Sequence, residues 1–255
     1  MNKKLTIYSI SLLLLALGSF FVYKEISNNN SKVVVDNSYP NMNSATSTDT
    51  SIVINKLDCS EVKDFLDHSF VFSVNFNAEV KNAYSKKISD TVSILKADCN
   101  AFSAWLDLGI YASSIGDYDS AKISWETASK IQPNYFLPYH NLGNLYGFSL
   151  KDLPKAEEYY FKAISKNFES LNSYSDLADL YLYGGQVQKA ITLLTNGLNE
   201  SVSTNSHLFF LQKLAFVYRE SGDKANALKY YEKLLSADPA NDSVRQEVER
   251  FRSLQ

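Results

Sequence analysis

Beyond about residue 100, apolar side chains recur at the spacing of a helix rather than a strand. Trp105 and Leu108 open the pattern. Tyr139, Leu142 and Tyr146 repeat it, as do Tyr174, Leu177 and Tyr181, then Leu211, Leu214 and Tyr218. The intervals i, i+3 and i+7 mark one face of a 3.6-residue helix. A small residue follows each leucine: Gly109, Gly143, Ala178 or Ala215. A second run follows each first one, with an alanine and a large residue four apart: Ala121 and Trp125, Ala156 and Tyr160, Ala190 and Leu194, Ala227 and Tyr231. The pattern predicts four helix hairpins, over residues 102–135, 136–170, 171–204 and 208–241. Their marker alanines lie 35, 34 and 37 positions apart.

Stop signals agree with this division. Gly116-Asp117, Gly184-Gly185 and Gly222-Asp223 supply the glycine that commonly ends a helix, and Pro133 and Pro239 fall where second helices must stop. The small residues let paired helices approach, and a larger side chain at a marker alanine would push them apart. One hairpin cannot bury both its apolar faces, whereas about three or more stacked hairpins share a core. Some copies depart from the pattern. Ala112 replaces the expected Tyr, with Tyr111 beside it; an extra residue enters the turn from Leu150 to Pro154; and Ser203 to Ser206 carries a three-residue excess that predicts a longer loop.

Two flanking segments complete the array. In 242–255, Val244, Val248, Phe251 and Leu254 form one stripe of a helix otherwise covered by charge, as suits a terminal cap. In 57–100, helical spacing of Val62, Phe65 and Leu66, then of Val80, Tyr84, Ile88, Val92 and Leu95, predicts a degenerate helical hairpin capping the other end.

The large-x-x-Leu-small-x-x-Tyr and Ala-x-x-x-aromatic markers, with their spacing and closing prolines, resemble the tetratricopeptide repeat, whose period is about 34 residues. The resemblance implies an all-α, right-handed superhelical solenoid of hairpins that holds another protein and carries no reaction centre. It also implies that first helices line a concave groove for a peptide or helix. Carried over, the groove positions are Leu106, Ile110 and Ser113, then His140, Asn144 and Phe148, then Ser175, Asp179 and Tyr183, then Phe209, Gln212, Phe216 and Arg219. Members that clamp a C-terminal carboxylate use Lys, Asn and Arg there. Here only Asn144 is kept, beside His140, Ser175, Asp179 and Gln212, which argues against a carboxylate clamp. Aromatic anchors Phe148, Tyr183, Phe209 and Phe216 instead suggest apolar partner side chains, unless they pack against neighbouring repeats.

The N-terminal part has a different character. Leu5 to Tyr23 is a nineteen-residue stretch without charge, flanked by Lys3, Lys4 and Lys24. Roughly 20 apolar residues span a bilayer, so residues 1–24 read as one transmembrane signal anchor. A cleaved signal peptide is the alternative, although no A-x-A site follows the run. The slight lysine bias places the N-terminus in the cytoplasm and the repeats outside it. Residues 25–56, rich in Asn, Ser and Thr, read as a flexible linker with a reach of roughly 30 Å.

Cys59 and Cys99 are the two cysteines and would meet at one end of the predicted 57–100 hairpin. Outside the cytoplasm they can form a disulfide worth roughly 3–4.5 kcal/mol by loop closure; the alternative is two inert thiols. His68, His140 and His207 share no metal or catalytic spacing, and no phosphate loop or nucleophile elbow is present. A net charge of −3 argues against a nucleic-acid groove. The expectation is a non-catalytic, membrane-anchored scaffold for a protein or peptide, without cofactor, metal, nucleic acid or small-molecule substrate. A secreted or periplasmic binding module and a structural subunit of an envelope complex are the rivals.

Overall fold

The computed structural model describes residues 54–253. The expected anchor over residues 5–23 lies outside them, as does all but the end of the expected linker. Among the described residues no helix is long and apolar enough to cross a membrane.

Eleven α-helices make up the described chain, with no strand among them. After a 3-10 turn at Cys59–Val62 come α1 (Lys63–Asp67), α2 (Ala78–Ala97), α3 (Phe102–Ile115) and α4 (Tyr118–Ile131). Next are α5 (Leu137–Asn144), α6 (Leu153–Lys166), α7 (Leu171–Tyr183) and α8 (Val187–Glu200). The last three are α9 (Thr204–Glu220), α10 (Lys224–Ala237) and α11 (Asp242–Arg252). Helices α3–α4, α5–α6, α7–α8 and α9–α10 pair as hairpins, and each second helix packs on the next first helix. All four marker alanines are fully buried, as are Leu108, Leu142, Leu177 and Leu214. The approach is close at Gly109, where a β-carbon would sit 2.3 Å from Trp125 Nε1.

The hairpin expected over 57–100 takes another form. Its second arm is α2, but its first arm is the five-residue α1 followed by an extended strap, Ser69 to Asn77. The local sequence explains this. Phe70 and Phe72 are half-buried while Val71 and Ser73 are exposed, a period of two that suits extended backbone; it lapses at exposed Val74 before Phe76 is half-buried again. The strap is tied to the first hairpin at several points. Ser73 and Val74 N–H groups donate to the Ile115 carbonyl at 2.9 and 3.2 Å, and Val71 N–H donates to Asp117 at 2.9 Å. Upstream, Asn55 N–H donates to the Ile131 carbonyl at 2.9 Å. A disulfide joins Cys59 to Cys99, whose Cα atoms are 5.6 Å apart.

The two insertions are absorbed by helices. In the second repeat the extra residue widens the end of the first helix into a π-turn, Leu145–Ser149, where Leu150 N–H reaches the Leu145 carbonyl at 2.9 Å. Lys151 then takes a left-handed conformation, φ 57°, in the place held by Gly116, Gly185 and Gly222 in the other repeats. Before the fourth repeat, the excess lengthens α9 to 17 residues instead of making a long loop. Ser203 and Ser206 form a reciprocal capping box that starts the helix early. At the C-terminal end, Val244, Val248 and Phe251 of α11 close the core against α10; Leu254 lies outside the described residues.

Candidate functional site

First helices meet through their side chains. His140 on α5 reaches Ser173 and Asp176 on α7, and Asp179 on α7 reaches Lys213 on α9. These contacts set α5, α7 and α9 side by side as one face.

The two halves of that face differ in character. In the N-terminal half, Leu106 and His140 are each only 5% exposed, and Ile110, Ser113, Asn144 and Phe148 are half-buried. A hydrogen-bonded chain fills the junction of the second and third repeats. The Tyr160 hydroxyl donates to Asn144 Oδ1 by a short bond, which turns the Asn144 amide nitrogen toward His140 Nε2, 3.1 Å away. That arrangement makes Nε2 the acceptor, so His140 Nδ1–H donates to Ser173 Oγ at 3.1 Å. Ser173 in turn meets Ser170 at 2.8 Å. Burial pushes His140 down to about 4, so the ring is neutral near pH 7. Burial, reinforced by Asp176 and Asp179, holds the Tyr160 phenol well above its ordinary value.

Ser173, His140 and Asp176 bring together the residue types of a hydrolytic triad, with Asp176 Oδ2 3.7 Å from His140 Nε2. The geometry does not serve that chemistry. Ser173 is fully buried, so its hydroxyl offers no approach to a substrate, and the imidazole proton faces the serine. Among the described residues no group of three or more His, Cys, Asp or Glu side chains is placed to hold a metal.

The C-terminal half is more open. Tyr183, at the last turn of α7, is 61% exposed, and Gln212 is exposed as well. Burial, then Asp179 and Glu220, raises the Tyr183 phenol. Lys213 Nζ lies 3.0 and 3.1 Å from the Asp179 oxygens. Phe216 is half-buried beneath two cations, Lys213 Nζ at 5.4 Å from its centroid and the Arg219 guanidinium at 5.0 Å. Arg219 also donates to Glu220 at 2.9 Å and to the Tyr231 hydroxyl at 3.3 Å. Phe209 is half-buried, edge-on to Phe210 with centroids 5.2 Å apart. Ser175 is half-buried on α7.

Periodicity alone misses Asp176 and Lys213. Each lies two residues after its repeat's opening aromatic or leucine, Tyr174 or Leu211, and faces the preceding repeat. A pattern read within one helix carries no signal for contacts between repeats. Phe148 and Tyr183 occupy matching places in the pattern, nine residues after Tyr139 and Tyr174. The π-turn inserts its extra residue around Phe148, so the two are not structurally equivalent.

Two tetratricopeptide repeat family models match the chain, at residues 138–167 and 209–241, the second and fourth hairpins. The protein therefore contains tetratricopeptide repeats within an all-helical fold. Tetratricopeptide repeat protein 37 of Xenopus laevis is 32% identical over 63 residues, 25% of this chain and 4% of that protein. Superkiller complex protein 3 of Homo sapiens is 20% identical over 168 residues, 66% of this chain and 9% of that protein. The chain thus spans less than a tenth of the length of either curated relative. Among solved structures, MamA aligns at 22% identity with a TM-score of 0.49, covering 65% of this chain and 97% of that one. PilW, a type IV pilus biogenesis factor, aligns at 17% identity with a TM-score of 0.48, covering 69% and 86%.

Proposed function

We propose that this protein is a non-catalytic scaffold that holds a protein or peptide partner on the first-helix face of its third and fourth repeats. The observation that carries the reading is the contrast along that face. In the second repeat the face is occupied by its own hydrogen-bonded side chains. Across α7 and α9 it presents Tyr183, 61% exposed, together with exposed Gln212 and the cation-flanked ring of Phe216. Tyrosine and arginine are the side chains most often found carrying binding energy at interfaces. Repeats of this family build surfaces for protein partners, which supports the same reading.

The scaffold is held at a membrane by residues 5–23, with the repeats on the extracytoplasmic side. The uncharged nineteen-residue stretch and the lysines before it support the anchor. The Cys59–Cys99 bond supports the oxidising compartment.

The test is capture of partners from native membranes with the full-length protein as bait, beside a Tyr183→Ala/Gln212→Ala bait. Loss of a partner from the double variant, with helix content unchanged, is the expected result. A partner kept by that variant but lost on Phe161→Ser would place the interface on the second-helix face, where Phe161 is 48% exposed.

A further inference from the structure

We propose that the Cys59–Cys99 disulfide is a site of thiol–disulfide exchange, opened by a peptide-sized thiol that attacks Cys59 and expels Cys99. Three observations converge there. The two cysteines differ in access: Cys59 is exposed, whereas Cys99 is 2% exposed. The bond lies at a depression of about 390 Å³, within the range that takes a small ligand, and Lys63, Lys96 and Asp67 are among its lining residues. The buried sulfur has a donor in place, since Asn100 Nδ2 lies 3.4 Å from Cys99 Sγ.

The chemistry follows from this asymmetry. An incoming thiolate attacks Sγ of Cys59, the exposed cysteine. A new bond forms between the external sulfur and Cys59, and the Cys59–Cys99 bond breaks. Its electron pair goes to Cys99 Sγ, which leaves as a thiolate. Exchange is faster when the leaving thiolate is stabilised, and the Asn100 amide supplies a hydrogen bond to it. The lining carries Lys63 and Lys96 against the single carboxylate of Asp67, an excess of positive charge that attracts an anionic thiolate. A second thiol then attacks the external sulfur of the mixed disulfide and leaves Cys59 as a thiolate. In sum, two external thiols are oxidised to one disulfide and the protein disulfide is reduced to two thiols. Opening the bond leaves the strap held to the first hairpin by non-covalent contacts alone.

The experiment uses the full, disulfide-bonded chain with glutathione as the thiol, without denaturant, quenched by acid and mapped by mass spectrometry. The expected result is a glutathione adduct on Cys59, a free thiol at Cys99, and an unchanged helical circular dichroism signal. Lys63→Gln should slow adduct formation by about three- to tenfold. Asn100→Asp keeps the Oδ1 acceptor that binds Leu57 N–H at 2.7 Å but replaces the amide donor with a carboxylate that repels the leaving thiolate, and should slow it by at least ~threefold. Lys166→Gln, remote from the depression, should leave the rate unchanged. An adduct on Cys99, reaction only after unfolding, or equal rates in all the variants would overturn the proposal.

Discussion

His140 Nδ1 lies 3.1 Å from Ser173 Oγ, so a neutral imidazole bridges the second and third repeats. Burial holds this ring at about 4, below its ordinary value of 6.5. The unfolded chain therefore takes up a proton at higher pH than the folded one. The stability this group contributes is complete above about pH 7 and is lost as pH falls from about 6.5 toward 4. The loss should reach about 2–3 kcal/mol by pH 4.5, where the unfolded ring is charged and the folded ring is still largely neutral. Thermal melts at pH 7.5 and 4.5 check this against His140→Gln. The wild type should lose more stability between the two than the variant; equal losses would remove His140 as the cause.

Lys151 adopts the left-handed backbone that three glycines adopt elsewhere in the array. A β-carbon there costs roughly 1–2 kcal/mol, part of which glycine gives up through its freer unfolded chain. Lys151→Gly should stabilise the protein by about 0.5–1 kcal/mol, and Lys151→Val should weaken it. Urea titration gives both signs. A less stable glycine variant would argue against the left-handed turn.

The disulfide closes a loop of separation 40 around α1, the strap and α2. Cys59→Ser paired with Cys99→Ser should cost about 3–4.5 kcal/mol in the loop-closure account. Each hairpin touches only its neighbours, so the loosening should stay local. Hydrogen exchange should accelerate across the strap and α2 and stay unchanged in α9 to α11. Uniform acceleration would show one cooperative unit instead.

Asp179 and Lys213 pair across the third and fourth repeats with both side chains mostly covered. Asp179→Asn should cost about 1–2 kcal/mol, because it leaves the Lys213 ammonium partly buried beside Phe216. Adding Lys213→Met should recover most of that loss in a double-mutant cycle. Additive losses would mean that the pair is not coupled.

The repeat skeleton was readable because its rules act within one hairpin. Ala121, Ala156, Ala190 and Ala227 are invisible to solvent for the reason their spacing announced: helices cross there. The strap was less readable, since Val62, Phe65 and Leu66 fit a helical period for one turn before Phe70 to Ser73 switch to a period of two. The extra residue expected in the turn from Leu150 to Pro154 sits instead in the helix end at Leu145–Ser149, because a π-turn and a longer turn use the same number of residues. On the candidate face, His140 and Tyr183 occupy adjacent repeats and similar helix faces, yet one is buried and the other exposed. His140 is covered because the neighbouring repeat supplies Ser173 and Asp176 against it, contacts that no pattern within α5 announces.

Stacked hairpins carry an inherent hazard, because the face that receives one neighbour can receive another copy of the chain. Head-to-tail contacts of that kind do not close and grow into filaments. Here α1 and the strap are bound to the first hairpin, and α11 exposes Arg245, Gln246 and Glu249 beyond the last. The charged outer side of α11 thereby gives a second copy's hairpin no apolar face to stack on, and stacking beyond it is disfavoured.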